Sequence, residues 1–324
     1  MKKGIFLLSV LILLSAAWSA GWYYVVGKVE TVISDTKVKL SDKGRDVKCS
    51  NQKIDGYPFR ISLNCDDVRY ADEVNGVIFE AGKLRTAAQA YQPNKAIVEL
   101  SSPASLRIPN GEEFNTAWNS MRSSLKLGLS GPENLSLHGK AITLIPVKRA
   151  EHEMRIKDMQ VHGRQIGEDD INLAVNLIET KSQNALWPSF NLNSTFLLEG
   201  IYKDVMNRTS LLRVAKSKGL KGSIERFQYM PDEGGMLEVK GPAQVSQAGL
   251  LTGKFDVTVR DLPQLLNALS KSFPEEKQKF ADASKAVSLL SKKTGKEEIT
   301  IPITVRNGRM SIGIIPLGKL PPLF

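Results

Sequence analysis

The stretch Ile299-Thr300-Ile301-Pro302-Ile303-Thr304-Val305-Arg306-Asn307-Gly308-Arg309-Met310-Ser311-Ile312-Gly313-Ile314 decides the fold class. Ile299, Ile301, Ile303 and Val305 alternate with other residues, and Met310, Ile312 and Ile314 resume the period beyond Asn307-Gly308. A period of two is the mark of a strand with one buried face. Asn-Gly suits a type I′ turn, whose twist matches that of the strands it joins, so the segment reads as a β-hairpin.

The same alternation recurs upstream. Ile61, Leu63 and Cys65 share one parity; Leu125, Leu127 and Leu129 follow, then Leu135 and Leu137 beyond Gly131-Pro132. Ile171, Leu173, Val175 and Leu177 lie opposite Asn172, Ala174 and Asn176. Phe190, Leu192, Phe196 and Leu198 keep step across Ser194, and Phe255, Val257 and Val259 form another run. One-sided alternation implies antiparallel sheet with one covered and one wet face. Gly131-Pro132 and Gly241-Pro242 punctuate the series, and Pro103, Pro109 and Pro146 mark loops.

Three helices interrupt it. Around 202–217, Val205, Leu212 and Ala215 fall near one side. Leu262, Leu265, Leu266, Leu269 and Phe273 have helical spacing, repeated by Phe280, Ala283, Val287 and Leu290. Asp261-Leu262-Pro263-Gln264 and Ser272-Phe273-Pro274-Glu275 each place a capping side chain three residues before Gln or Glu, with Pro in the first turn. These two helices, ending near Gly295, should lie on a sheet face or close one end of it.

At the N-terminus, Lys2 and Lys3 precede a stretch without charge that lasts to Gly27. Residues 4–26 as a helix span about 34 Å at ~1.5 Å per residue, enough for a hydrocarbon core of ~30 Å. The lysines place the N-terminus in the cytoplasm by the positive-inside rule, and Trp18, Trp22, Tyr23 and Tyr24 suit the far headgroup layer. Ser15-Ala16-Ala17 also fits a cleaved signal peptide, but cutting there would leave Trp18, Trp22, Tyr23, Tyr24, Val25 and Val26 exposed on a soluble tail. Either way, the rest is exported. A domain layout of 1–27 as anchor and 28–324 as exported β domain follows, with a division near 150–200 allowed and 28–50 acting as a stalk or entering strand.

Cys49 and Cys65 are the only cysteines. In an oxidising compartment a bridge between them would close a short loop and contribute on the order of 3 kcal/mol. Two unpaired buried thiols are the alternative.

Half of the net charge of +10 is local to one segment. Lys203, Arg208, Arg213, Lys216, Lys218, Lys221 and Arg226 face only Asp204 and Glu225 in their segment. This is a solvated helix face or, for Arg208, Arg213, Lys216, Lys218 and Lys221, a contact with anionic lipid headgroups or another acidic envelope polymer. No sustained, aromatic-interleaved basic surface of a nucleic-acid binder is present. His138, His152 and His162 lack metal-ligand spacing, so no metal is expected. The adjacent carboxylates at 66–67, 112–113, 169–170, 275–276 and 297–298 would point to opposite faces of a strand and suit turns better than acid–base work. Gly128-Leu129-Ser130-Gly131 lacks nucleophile-elbow spacing, and no phosphate or dinucleotide loop occurs, so neither enzyme nor cofactor is expected.

Gly56-Tyr57-Pro58-Phe59-Arg60, set between the cysteines, with the short anchor, the late Leu/Pro helices and the end Gly313-Ile314-Ile315-Pro316-Leu317-Gly318-Lys319-Leu320-Pro321-Pro322-Leu323, resembles a bacterial envelope family, domain of unknown function 2125. More loosely, long one-faced sheets behind one anchor are similar to the AsmA-like envelope proteins, whose curved sheets are thought to hold lipid. No catalytic residues come with either resemblance. The Gly-Tyr-Pro-Phe segment reads as a turn feeding a strand, with Tyr57 and Phe59 as candidate recognition residues.

The sequence thus predicts an α+β, mainly β protein: an N-terminal transmembrane helix, then curved antiparallel sheets with a few amphipathic helices. It would be a single-pass protein of a bacterial inner membrane with its bulk in the periplasm. There it would shelter lipid or another amphipath in an apolar groove, in envelope assembly or homeostasis. The alternative is a scaffold for another envelope protein, and an exported hydrolase is third.

Overall fold

The computed structural model describes residues 2–109, 111–128, 131–183, 188–206, 210–272, 278 and 298–324. They form two compact units, residues 1–127 with 146–148 and residues 128–145 with 149–324. The fold class is the expected one: mainly antiparallel sheet, with a long apolar helix at the N-terminus.

The first unit begins with α1 (Lys2–Ser41). It continues through β1 (Arg45–Cys49), β2 (Lys53–Asp55), β3 (Arg60–Cys65), β4 (Val68–Asp72) and β5 (Val77–Ala81). Then follow β6 (Leu84–Gln89), β7 (Gln92–Leu100), β8 (Ala104–Arg107), β9 (Glu113–Ala117) and β10 (Ser120–Leu127). Pairing sorts them into two antiparallel ladders, β1-β4-β5-β8-β9 and β2-β3-β6-β7-β10. The Cys49–Cys65 disulfide forms as expected and ties the end of β1, in one ladder, to the end of β3, in the other.

α1 does not stop at Gly27. It runs unbroken to Ser41, through the residues that sequence patterning left as a stalk or entering strand. The physical reason is packing: Trp22 and Val26 are buried with Ile61, and Val25 and Val29 join Ile54 and Ala90 around them. Trp22 and Val26 would therefore not be exposed on a tail if the chain were cut after Ala17. Trp18, Tyr23 and Tyr24 are the exposed ones.

The second unit is a meander in chain order. It comprises β11 (Pro132–Pro146), β12 (Met154–Ile166), β13 (Asp170–Ser182) and β14 (Phe190–Glu199), then α2 (Tyr202–Met206) and α3 (Leu211–Lys218). After these come β15 (Leu220–Pro231), β16 (Met236–Val245), β17 (Leu251–Arg260), α4 (Leu262–Ser272), β18 (Glu298–Arg306), β19 (Arg309–Ile312) and β20 (Ile315–Lys319). Each strand pairs antiparallel with the next. The β18–β19 hairpin is as read from sequence, with Asn307 and Gly308 both at positive φ and Arg306 opposite Arg309. Ile314 does not continue the strand: the chain turns at Gly313 into β20, and Ile314 is exposed.

Gly241-Pro242 is not a break but lies inside β16. A Cβ on Gly241 would meet the Lys254 carbonyl of β17 at 2.2 Å, so only glycine fits there. Opposite, β15 bulges between Ile224 and Phe227. Similar shifts occur in the β13–β14 and β14–β15 pairs, and such bulges bend a sheet.

The expected helix over 202–217 is two helices. Val214 and Ala215 are buried, as are Ile201 and Tyr202, while Leu212 is exposed. α4 starts at the predicted cap, where the Asp261 side chain accepts from the Gln264 N–H at 3.4 Å. Leu265 and Ala268 are buried, and Lys271 pairs with Glu233. Gly235 lets the helix approach, since a Cβ there would meet the Leu265 nitrogen at 2.7 Å. α4 therefore closes the β15–β16 end of its sheet. The helix expected over 280–290 and residues 273–275 of its expected cap lie outside the described residues, as does Leu129.

Candidate functional site

Cross-strand partners share a face of the sheet, so the pairing registers trace rows across the second unit. One row from β11 to β18 runs Leu137, Val161, Val175, Ser194, Phe227, Val239, Val257, Ile301. Two residues along the strands, a parallel row runs Gly139, Met159, Leu177, Leu192, Tyr229, Leu237, Val259, Ile299. Between them, on the opposite face, lie His138, Gln160, Asn176, Asn193, Gln228, Glu238, Thr258 and Thr300. Eight strands thus carry one apolar and one polar face without a change of side. At ~4.8 Å per strand the apolar rows extend about 34 Å.

This apolar face is not a closed core. In both rows the large apolar side chains are half-buried; the buried members are Ser194 and Gly139. Complete burial of a Leu, Val or Phe side chain yields ~1.5–3 kcal/mol, so an incompletely covered face of this size leaves stabilisation unrealised until something apolar lies on it. An apolar face carried in register by eight strands is the candidate binding surface of this unit.

Two hydroxyls stand within the face. Ser194 Oγ donates to the Val175 carbonyl at 3.0 Å and is thereby satisfied. Tyr229 Oη is buried and has no hydrogen-bond partner among the described residues. Its ring lies 5.3 Å from that of Phe190, and burial, then the Glu233 charge, pushes its pKa above the ordinary tyrosine value. An unpaired buried hydroxyl costs ~1–3 kcal/mol.

At the other end of the strands a hollow of about 550 Å³ joins Leu220 and Val245, which continue the apolar face, to Lys218 and Lys221. Both lysines are paired there, Lys218 with Asp204 and Lys221 with Glu199. Of the other basic candidates, Arg213 and Lys216 lie on the exposed side of α3, and Arg208 lies outside the described residues. A second hollow, of about 650 Å³ at the terminal hairpin, is lined by Arg306, Arg309 and Lys319.

In the first unit, the loop carrying Tyr57 and Phe59 sits against α1. Trp18 Nε1 donates to the Pro58 carbonyl at 3.0 Å, and Trp22 Nε1 to that of Arg60 at 2.8 Å. Ser19 Oγ and Tyr57 Oη are 2.7 Å apart. The Tyr57 ring is edge-on to Trp22 and stacked on Tyr23. The segment is thus more than a turn feeding β3: it is where the sheet grips the helix. This contact is not legible in the sequence, because its partners are 38 to 40 residues apart.

Residues 22–321 match the family described as uncharacterised proteins conserved in bacteria, domain of unknown function 2125. The chain belongs to this family. No curated protein and no solved structure matches it, and no match supports the looser likeness to AsmA-like proteins.

The polar groups of this domain-2125 chain do local structural work. Asp169 Oδ1 accepts from the Lys203 N–H at the start of α2, and Asp170 Oδ1 from that of Gly200. Asp66 and Asp67 accept from Asn51 and Ser50 across a turn. His138 pairs with Asp158 at 2.7 Å on the polar face, and that hydrogen bond holds the Asp158 carboxyl below its usual range. His162 meets Ser136, and His152 meets Glu151. No group of three or more metal-ligating side chains occurs among the described residues.

Proposed function

We propose that this is a single-pass protein of the bacterial inner membrane, N-terminus in the cytoplasm, whose second unit binds the acyl part of a lipid or another amphipath in the periplasm, in envelope assembly or homeostasis. The observation that carries the reading is the half-buried apolar face that runs unbroken from β11 to β18. An acyl chain spans half of a ~30 Å hydrocarbon core, so rows of about 34 Å accommodate one lying across the strands. α1 is long and apolar enough to cross a membrane, which supplies lipid nearby, and the Cys49–Cys65 bridge suits an oxidising compartment.

Native mass spectrometry of the detergent-extracted full chain tests this. Lipid adducts are expected, together with a rise in melting temperature on adding phospholipid. Absence of both contradicts the reading.

One observation favours the scaffold reading. β20 is an edge strand paired only with β19 among the described residues, and Ile315 and Leu317 on it are exposed. Such an edge accepts a strand from another protein. Pro316→Lys with Leu317→Lys would then remove co-purifying envelope protein while leaving lipid adducts intact.

A further inference from the structure

We infer that the first unit carries its own membrane-docking face, formed by the 56–60 loop, the β6–β7 turn and one ring of α1, and that this face rides in the outer headgroup layer of the bilayer. The inference rests on the anchoring helix and is independent of the apolar face of the second unit.

Three contacts fix the loop to the helix, through Trp18, Ser19 and Trp22. A fourth brings in the turn: the Ala90 N–H donates to the Phe59 carbonyl at 2.9 Å. Tyr91 follows at once in that turn. The rings brought together this way point largely outward, with Phe59 65%, Tyr91 68%, Tyr23 65% and Tyr57 50% exposed. Half or more of each ring nevertheless stays uncovered, and rings with an apolar body and polar edge favour the headgroup boundary. Lys28 lies over the Tyr24 ring at 5.5 Å and Arg60 is exposed, which places cations just beyond the rings, at the level of lipid phosphates.

Helix length gives an independent argument. Lys3 is the last charge before the apolar run, and Trp18 is the first α1 residue that the loop holds. The fifteen steps between them rise about 22 Å at ~1.5 Å each, short of a ~30 Å hydrocarbon core. Later α1 residues cannot make up the difference: Trp22 and Val26 are buried against Ile61, and Val25 and Val29 pack around them. The crossing segment is therefore shorter than residues 4–26. A short span is accommodated by thinning the bilayer or drawing flanking groups into it. The groups that flank this one are the aromatic rings of the two loops.

The test uses the full chain, native disulfide intact, in vesicles of phosphatidylethanolamine and phosphatidylglycerol. Single nitroxides are placed by Phe59→Cys, Tyr91→Cys, Leu11→Cys and Lys39→Cys. All four side chains are exposed, and Lys39 lies sixteen residues beyond Tyr23 on α1. The collision rate with oxygen relative to that with a water-soluble nickel chelate should be several-fold higher at positions 59 and 91 than at 39, approaching that at 11. Equal ratios at 59, 91 and 39, with 11 in lipid, overturn the docking face and leave the anchor standing. An aqueous ratio at 11 as well overturns both. Protection of 59 and 91 from both reagents means that protein covers the loops, which also overturns it.

Discussion

Asp72 is buried and meets Arg45 at 2.9 Å, directly across the β1–β4 register, with Arg45 itself only 13% exposed. Burial pushes its carboxyl upward, but the Asn75 side chain and N–H and the Arg45 guanidinium outweigh that and hold it below the usual value. Removing the acid strands a desolvated cation, so Asp72→Ala should cost about 3 kcal/mol in urea unfolding. A depressed folded-state pKa stabilises above the ordinary carboxylate pKa and is lost as pH falls below about 4. The urea-midpoint gap between wild type and Asp72→Asn should therefore narrow from pH 7 to pH 3; a gap that stays constant would show that the pair is not what holds β1 to β4. Tyr229→Phe should leave the protein as stable or up to about 2 kcal/mol more stable in urea unfolding, because a buried unpaired hydroxyl is removed. None of this was legible in sequence. Asp72 and Arg45 are 27 residues apart, and nothing local distinguishes Tyr229 from any other strand tyrosine.

At the scale of elements, what depends on local pattern was readable. Asn307-Gly308 specified its hairpin, and Asp261 its helix start. Patterning failed where a distant neighbour overrides local preference. Gly241-Pro242 resembles a break, yet a close approach by β17 absorbs it into β16. Residues 28–41 lack a strong apolar stripe, yet α1 carries through them because its turn at Trp22–Val29 is packed on β2 and β3. Two element-scale outcomes follow. Replacing Cys49 and Cys65 by Ser should cost on the order of 3 kcal/mol, the chain entropy of a 16-residue closure, measured by denaturant unfolding. Gly235→Ala places a Cβ at positive φ against Leu265, so it should cost about 1–3 kcal/mol and increase hydrogen exchange in α4.

For the molecule as a whole, the sequence announced one-faced sheets but not how their registers align. Period two establishes that each strand has an apolar side; only pairing shows that eight successive strands keep theirs on one face, and only burial shows that this face is incompletely covered. Both are needed before a binding surface can be told from a closed core. A half-buried position tolerates a charge better than a core position does, so Val239→Glu should fold while cutting lipid adducts at least tenfold, a loss of about 1.4 kcal/mol. The most direct measurement is photo-crosslinking of the full chain in vesicles that contain phospholipid with a diazirine at the end of one acyl chain, followed by residue mapping. Adducts are predicted on the rows through Val161, Val175, Phe227, Val239 and Val257, in addition to α1. Adducts confined to α1 and its neighbouring loops, with none on those strands, would contradict a lipid-holding sheet.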